Sequence, residues 1–341
     1  MNNFTKEEAI EQINQLGKEG KAFFFLIDYK MGQNRIIPLD GVNPEEILFD
    51  FNGIGNTHQA IPPLSELKEA IPATIEWEKW PVSFEHYQRG FELVLAGLKA
   101  GNSFLTNLTG RTPIHTNLSL KQIFAASKAR YRLWVKGQFC ALSPEIFVQI
   151  RNNRIASFPM KGTIDADIPD AEKEILLNPK EKAEHATIVD LIRNDLSMHA
   201  SDVVVKRFRY IDRLKTNTGE LLQVSSEITG LLPDHFRSFL GNMLYDMLPA
   251  GSICGAPKKK TLEIIDEAEA DPRGFYTGIA GIFDGQNLDS GVLIRFIEQD
   301  ENGQLYFRSG GGITAQSDAQ SEYDELIQKI YVPICRNNQN L

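Results

Sequence analysis

Two periodicities run along the chain. Ile75 and Trp77 alternate with Glu76 and Glu78 as in a half-exposed strand that Pro81 closes. Tyr87, Phe91, Val94, Leu95 and Leu98 then recur at steps of three and four, which predicts an amphipathic helix. From about residue 101, short β-rich runs follow at 104–109, 132–136, 139–142, 146–150 and 154–158. They come in adjacent pairs as often as they alternate with helices. The pattern predicts a mixed α/β (α+β) chain built on large antiparallel sheets, not a doubly wound parallel sheet. Gly53-Ile54-Gly55 lacks the third glycine of a dinucleotide fingerprint, and no P-loop string occurs.

Three groups of residues stand out chemically. Asn152-Asn153 separates two strand-like runs, and both residues tolerate the left-handed backbone of a tight turn. Partners across a hairpin share a constant index sum, so Glu145 and Lys161 are expected to emerge together at its open end. Read alone, such a pair is an ordinary surface ion pair worth under about 1 kcal/mol. Asn178-Pro179 has the form of an N-cap followed by a first-turn proline, and the helix it opens carries Glu181, Glu184, Ile188, Leu191 and Ile192 on one face. Near the C-terminus, Ser317 and Gln320 resemble a capping box, ahead of Glu322, Glu325, Leu326, Lys329 and Ile330 on one stripe. The spacing Glu-x-x-Glu thus occurs twice on faces that also carry apolar residues. Inward carboxylates are unfavourable unless paired or bound to a cation, and an all-oxygen donor set suits Mg²⁺. The third group is two glycine-rich segments, 249–258 and Ser309-Gly310-Gly311-Gly312, read as turns whose N–H groups could cradle an anion. Arg295 could grip a carboxylate from the β-like run 291–296.

Composition narrows the field. Thirty-six Lys and Arg against forty-five Asp and Glu leave a net charge of −9, no footprint for nucleic acid or anionic lipid. The greasiest run, 22–27, is far too short for a membrane span. Cys140, Cys254 and Cys335 have neither the even count of a disulfide framework nor the spacing of a zinc site, which points to a reducing cytoplasm.

Taken in order, Ser143-Pro144-Glu145, Pro159-Met160-Lys161-Gly162-Thr163, Ala183-Glu184-His185, the run 189–195, Gly251-Ser252 through Lys258, Gly310-Gly311-Gly312 and Ser321-Glu322-Tyr323-Asp324-Glu325 resemble the chorismate-utilising enzymes. That family comprises the anthranilate, isochorismate, salicylate and aminodeoxychorismate synthases, and the resemblance covers residues 81–333. It implies a single large domain with two packed antiparallel β-sheets flanked by helices, in which residues 1–80 form the N-terminal part and 81–335 the catalytic core. Lys161, where most branches have Ala, points to the aminodeoxychorismate branch. By resemblance, Lys161 is a nucleophile and Glu145 a general acid. Glu184 and Glu325, with Glu181 and Glu322, would hold Mg²⁺. Arg295, Tyr276, Lys329, Thr163 and the backbone of Gly310, Gly311 and Gly312 would bind substrate. The other branches' water-activating Lys falls at Leu105, and a His that many relatives carry falls at Leu222. The first departure argues against adding water, and the second weakens an anthranilate synthase reading, in which pyruvate is eliminated. No cysteine sits in a glutaminase elbow, so ammonia would come from a separate glutamine amidotransferase subunit. The expected reaction is C4 amination of chorismate for para-aminobenzoate and folate synthesis. An anthranilate synthase component, which would release pyruvate, and a non-catalytic relative are the alternatives.

Overall fold

Among the described residues, the antiparallel pattern is realised as two nine-stranded sheets. The computed structural model describes residues 3–215, 220–332 and 334. In the first sheet the order is Met160–Asp165, Glu220–Leu231, Arg154–Ser157, Ile146–Arg151, Leu288–Val292, Ile279–Phe283, Phe23–Ile27, Asn34–Pro38, with Ser201–Lys215 also on Glu220–Leu231. The second runs Gly255–Ala256, Leu105–Thr116, Leu305–Ile313, Phe296–Gln299, Phe139–Ser143, Tyr131–Val135, Ile47–Phe51, Ile54–Gly55, with Trp77–Lys79 on Leu105–Thr116. The segment before residue 81 therefore supplies strands to both sheets.

An aromatic layer packs between them. Phe24, Phe49, Phe51, Tyr131, Phe139 and Phe296 are all buried there, each side chain contributing roughly 1.5–3 kcal/mol. The helix predicted from Tyr87 to Leu98 forms as Phe84–Lys99, capped by Ser83, and lays that apolar face on the outside of the second sheet beside Ala319–Gln328. Lys6–Glu19, Pro179–Ser197 and Leu240–Asp246 pack outside the first sheet.

Several local expectations are corrected. The run at 104–109 extends to Thr116, and the strand at 75–80 shrinks to Trp77–Lys79. Ser309-Gly310-Gly311-Gly312 is no turn but the interior of a strand, with Gly310 opposite Thr109 and Gly312 opposite Asn107. A Cβ on Gly310 would lie 2.7 Å from Thr109 Cγ2, so glycine serves close approach of the two strands here, not a reversal. The last helix is capped by Asp318, whose carboxylate accepts from the Ser321 N–H at 2.9 Å, while the Ser317 hydroxyl accepts from Thr314 N–H instead. Asn152 and Asn153 do take left-handed φ of 52° and 58°. The ladder they start stops at the Ala156–Gln149 pair, however, and the chain crosses to another partner before Lys161.

One buried ion pair ties these layers together. The Arg273 guanidinium, 1% exposed, bonds both oxygens of Glu269 at 2.8 and 2.7 Å. It also donates to the carbonyls of Ile253 and Asn107 and lies over the Tyr29 ring. Glu269 in turn accepts from Thr109 N–H at 2.8 Å. Burial works against the charged guanidinium, yet Glu269 wins and Arg273 holds its proton more tightly than usual. Arg273→Ala is expected to destabilise the fold by about 3–5 kcal/mol, because it leaves Glu269 buried and uncompensated. Urea denaturation of the variant beside wild type measures this.

Candidate active site

Glu145 and Arg295 stand on neighbouring crossovers between the sheets. Ser143-Pro144-Glu145 carries the chain from Phe139–Ser143 in the second sheet to Ile146–Arg151 in the first, and residues 293–295 carry it back from Leu288–Val292 to Phe296–Gln299. The crossovers bond each other, Leu142 N–H to Arg295 O at 3.2 Å and Val292 N–H to Glu145 O at 3.1 Å. Residues about 150 apart in sequence thus sit together because two strand pairs switch sheets at the same place.

The Glu145 carboxylate is buried and accepts a short hydrogen bond from the Ser252 hydroxyl. Burial raises its pKa, against the opposing pull of Ser252 and Lys161. A carboxyl so placed is suited to donate a proton.

Lys161 reaches the same site from a different ladder. Lys161 pairs with Val224, and the register shifts before Thr163 through Gly162 at φ 74°. This bulge re-aims the side chain. Its amine lies 3.9 Å from Glu184 Oε2, and a Cβ on Gly312 would come within 3.0 Å of that amine and 3.1 Å of Leu105 Cδ1. The bare backbone of Gly312 is what makes room for the lysine.

The four glutamates form two pairs around this strand. Glu184 is buried and Glu181 half-buried, and Glu181 Oε2 lies 3.2 Å from a Cβ position on Gly162. Across the backbone, a Cβ on Gly311 would stand 3.5 Å from Glu322 Oε2, 3.9 Å from Glu325 Oε1 and 4.0 Å from Lys329 Nζ. Glu322 is buried, whereas Glu325 is exposed and bonds Lys329 at 2.7 Å; Lys329 also donates to Gly310 O. The neighbouring strand ends at the Phe296–Arg308 pair, so among the described residues Gly310–Gly312 has a ladder partner on one side only. Among the described residues, no three carboxylate, imidazole or thiol groups converge as a closed metal cage. The donors fit a hard cation such as Mg²⁺, which takes one or two carboxylates and completes its shell with substrate and water.

The remaining expected residues divide. Tyr276 is buried against Phe296, its phenol pKa raised first by desolvation. Arg295 is exposed at a strained φ of 49°, not within a strand, with its guanidinium 6.0 Å from the centre of the Tyr331 ring. The backbone of Thr163 pairs with Gln223; its side chain, like Cys335, lies outside the described residues.

Two participants are missed by residue-by-residue reading. Ser252 looked like a turn residue, and only the fold shows that it faces Glu145. His185, beside Glu184, bonds Ser226 Oγ at 2.6 Å. Ser226 Oγ also accepts from Arg209 N–H at 2.9 Å. Burial, then Arg209 and Lys161, push the imidazole pKa down to about 4, so the ring stays neutral near pH 7.

A buried carboxyl at a crossover between the two sheets, an amine packed against a glycine strand and two glutamate pairs make up the candidate site. The chain belongs to the chorismate-binding enzymes, whose family model matches residues 1–334. It is 51% identical over 330 residues to a "PabA-like" protein of Haemophilus influenzae, covering 97% of this chain and 98% of that one. It is 33% identical over 272 residues to aminodeoxychorismate synthase component 1 of Klebsiella aerogenes, covering 73% of this chain and 57% of that one. The menaquinone-specific isochorismate synthase MenF of Escherichia coli has the same fold, with a TM-score of 0.71 at 17% identity over 96% of this chain and 82% of that one.

The raised pKa of Glu145 has a consequence for stability. The folded state holds this proton more tightly than the unfolded chain, so stability falls as pH rises through the carboxylate range and stays lower above the folded pKa. Glu145→Gln is therefore expected to melt at a higher temperature than wild type at about pH 7, with the gap closing towards about pH 4. Thermal melts across that range check it.

Proposed function

We propose that the chain replaces the C4 hydroxyl of chorismate with an amino group, yielding 4-amino-4-deoxychorismate on the route to para-aminobenzoate and folate. The observation that carries this reading is the Lys161 amine, set against Gly312 in the site that the buried Glu145 closes. Unprotonated Lys161 attacks ring C2, both ring double bonds shift by one position, and the C4–O bond breaks as Glu145 gives its proton to the departing water. The new C2–N bond carries the positive charge. Ammonia then attacks C4, the electrons shift back, and Lys161 leaves as a neutral amine while the proton shed by the incoming nitrogen returns to Glu145. Chorismate and ammonia become product and water.

Glu184 and Glu325 would hold Mg²⁺, with Glu181 and Glu322 binding directly or through water; the ion would supply a positive anchor for the ring carboxylate. Arg295 and Tyr276 would take the enolpyruvyl end, with Lys329 and the open edge at Gly310–Gly312 completing the grip. Leu105 supports amination over hydration, since its hydrocarbon packs beside Gly312 where a water-activating base would be needed. Ammonia would come from a separate glutamine amidotransferase subunit, in the cytoplasm. Among the described residues no helix is long and apolar enough to cross a membrane.

Incubation with chorismate, Mg²⁺ and ammonium should give the 4-amino product by mass spectrometry with no pyruvate; pyruvate release would mean an anthranilate synthase instead. Lys161→Ala should make little 4-amino product and trap no ring adduct, whereas wild type quenched during turnover should carry one on the peptide containing Lys161. Formation of that product by the variant at the wild-type rate would end the nucleophile assignment. Glu145→Gln should slow loss of the hydroxyl by roughly 10²–10⁴ with chorismate still bound. Glu325→Gln should raise the Mg²⁺ concentration needed for half-maximal rate, and an unchanged requirement would remove it from the metal site.

A further inference from the structure

The helix Ala319–Gln328 presents Glu322 and Glu325 to a surface with few side chains. Gly310–Gly312 offers bare backbone, and a Cβ on Gly110 of the neighbouring strand would stand 3.3 Å from Leu326 Cδ1, so Leu326 also meets a glycine. Packed elements are registered against each other by side-chain ridges entering grooves, and apolar contact alone is non-directional. A contact on glycines therefore resists separation better than it resists sliding along the helix axis. Lys329 donates to Gly310 O on this side, but it also pairs with Glu325, so an ion bound at that carboxylate would compete for the same lysine.

A stronger stop comes from a distant part of the chain. Lys79, the last residue of the strand Trp77–Lys79, donates to Ile327 O at 2.8 Å and to Ile330 O at 3.1 Å. These carbonyls lie at the C-terminal end of the helix, where backbone acceptors are left over and the dipole favours a cation. The strand that carries the lysine is fixed on the second sheet, with Lys79 opposite Ile114. Tyr323 adds a second tie: its hydroxyl donates to Val82 O, and its ring lies 5.5 Å from that of Phe84 and 5.4 Å from that of Tyr87, centre to centre. Both ties start from residues 79–87, outside the motifs that carry the site.

We propose that Lys79 is a positioning residue for the metal site: by capping the end of the helix it sets where Glu322 and Glu325 stand over Gly311, and losing its two hydrogen bonds weakens divalent-metal binding. The inference rests on the metal assignment made above. It gives the segment before residue 81 a share in the site.

The test measures Mn²⁺ binding directly, from the electron paramagnetic resonance signal of the free ion, on the full chain with chorismate present and no ammonium. Lys79→Met keeps most of the hydrocarbon stem and removes the donors. It should raise the Mn²⁺ dissociation constant roughly threefold to tenfold, the worth of one or two hydrogen bonds. Lys79→Arg, which still carries donors, should recover most of the affinity. Lys121→Met, which loses a bond to Ile61 O outside this helix, should bind as wild type does. Thermal melts of each variant run alongside. A lower melting temperature for Lys79→Met with its Mn²⁺ constant unchanged would make Lys79 structural only and overturn the proposal. Equal loss of affinity in Lys79→Arg, or in Lys121→Met, would overturn it too. If wild type itself binds no Mn²⁺, the metal assignment falls and the proposal with it; if wild type binds and Lys79→Met binds equally well, the proposal alone falls.

Discussion

Everything at the site depends on how closely and in what register the two sheets are held, and the buried contact of Arg273 with Glu269 sets this. One guanidinium reaches the carboxylate that closes helix Lys258–Ala268, the carbonyl of Asn107 in the second sheet, the short helix that carries Ser252, and the ring of Tyr29 at the end of the first sheet. A hydrophobic sandwich is non-directional and could slide; five donors in a fixed plane cannot follow it. Apolar burial supplies the bulk of the stabilisation, and Arg273 adds a directional constraint to it. Since Ser252 touches Glu145 and Asn107 pairs with Gly312, a shift of either sheet would part the acid from the amine.

The site works by placing groups where water would not leave them. Burial raises the pKa of Glu145, burial and two nearby cations keep His185 neutral, and Lys161 shares its surroundings with Glu184. Such an arrangement opposes folding locally and persists because the surrounding sheets over-determine it. The exposed Glu325 and Lys329, by contrast, pair at the rim, where their separation on ligand binding is inexpensive.

Much of this was legible in the sequence. Periodicity located the helix at Phe84–Lys99, the turn at Asn152-Asn153 and the inward character of Glu184 and Glu322. Motif order identified the family and the two-sheet fold. What escaped was long-range placement. Index arithmetic brought Glu145 and Lys161 together for the wrong reason, since the hairpin ends at Ala156 and the two meet through a crossover and a bulge. The glycine run read as a turn because local propensity carries no sign of a neighbouring strand; only the Thr109 side chain beside Gly310 explains it. Arg273 gave no local signal, and Ser252 stood out only as part of a motif, because what matters about each is a partner from another part of the chain.

The position of the glycine strand in the order of the second sheet also bears on how the chain is made. Leu305–Ile313 lies between Leu105–Thr116 and Phe296–Gln299, yet it follows both of them in the chain. While the polypeptide emerges from a ribosome, the long edge of Leu105–Thr116 must wait through roughly 190 further residues for its partner, ample time at typical elongation rates for an open edge to pair wrongly. The sheet closes only once this strand has emerged, and the helix that follows brings Glu322 and Glu325. A nascent or truncated chain that stops short of Leu305 would thus present an unfinished sheet to chaperones and proteases, while a chain that has closed the sheet gains two of its four acidic groups in nearly the same event.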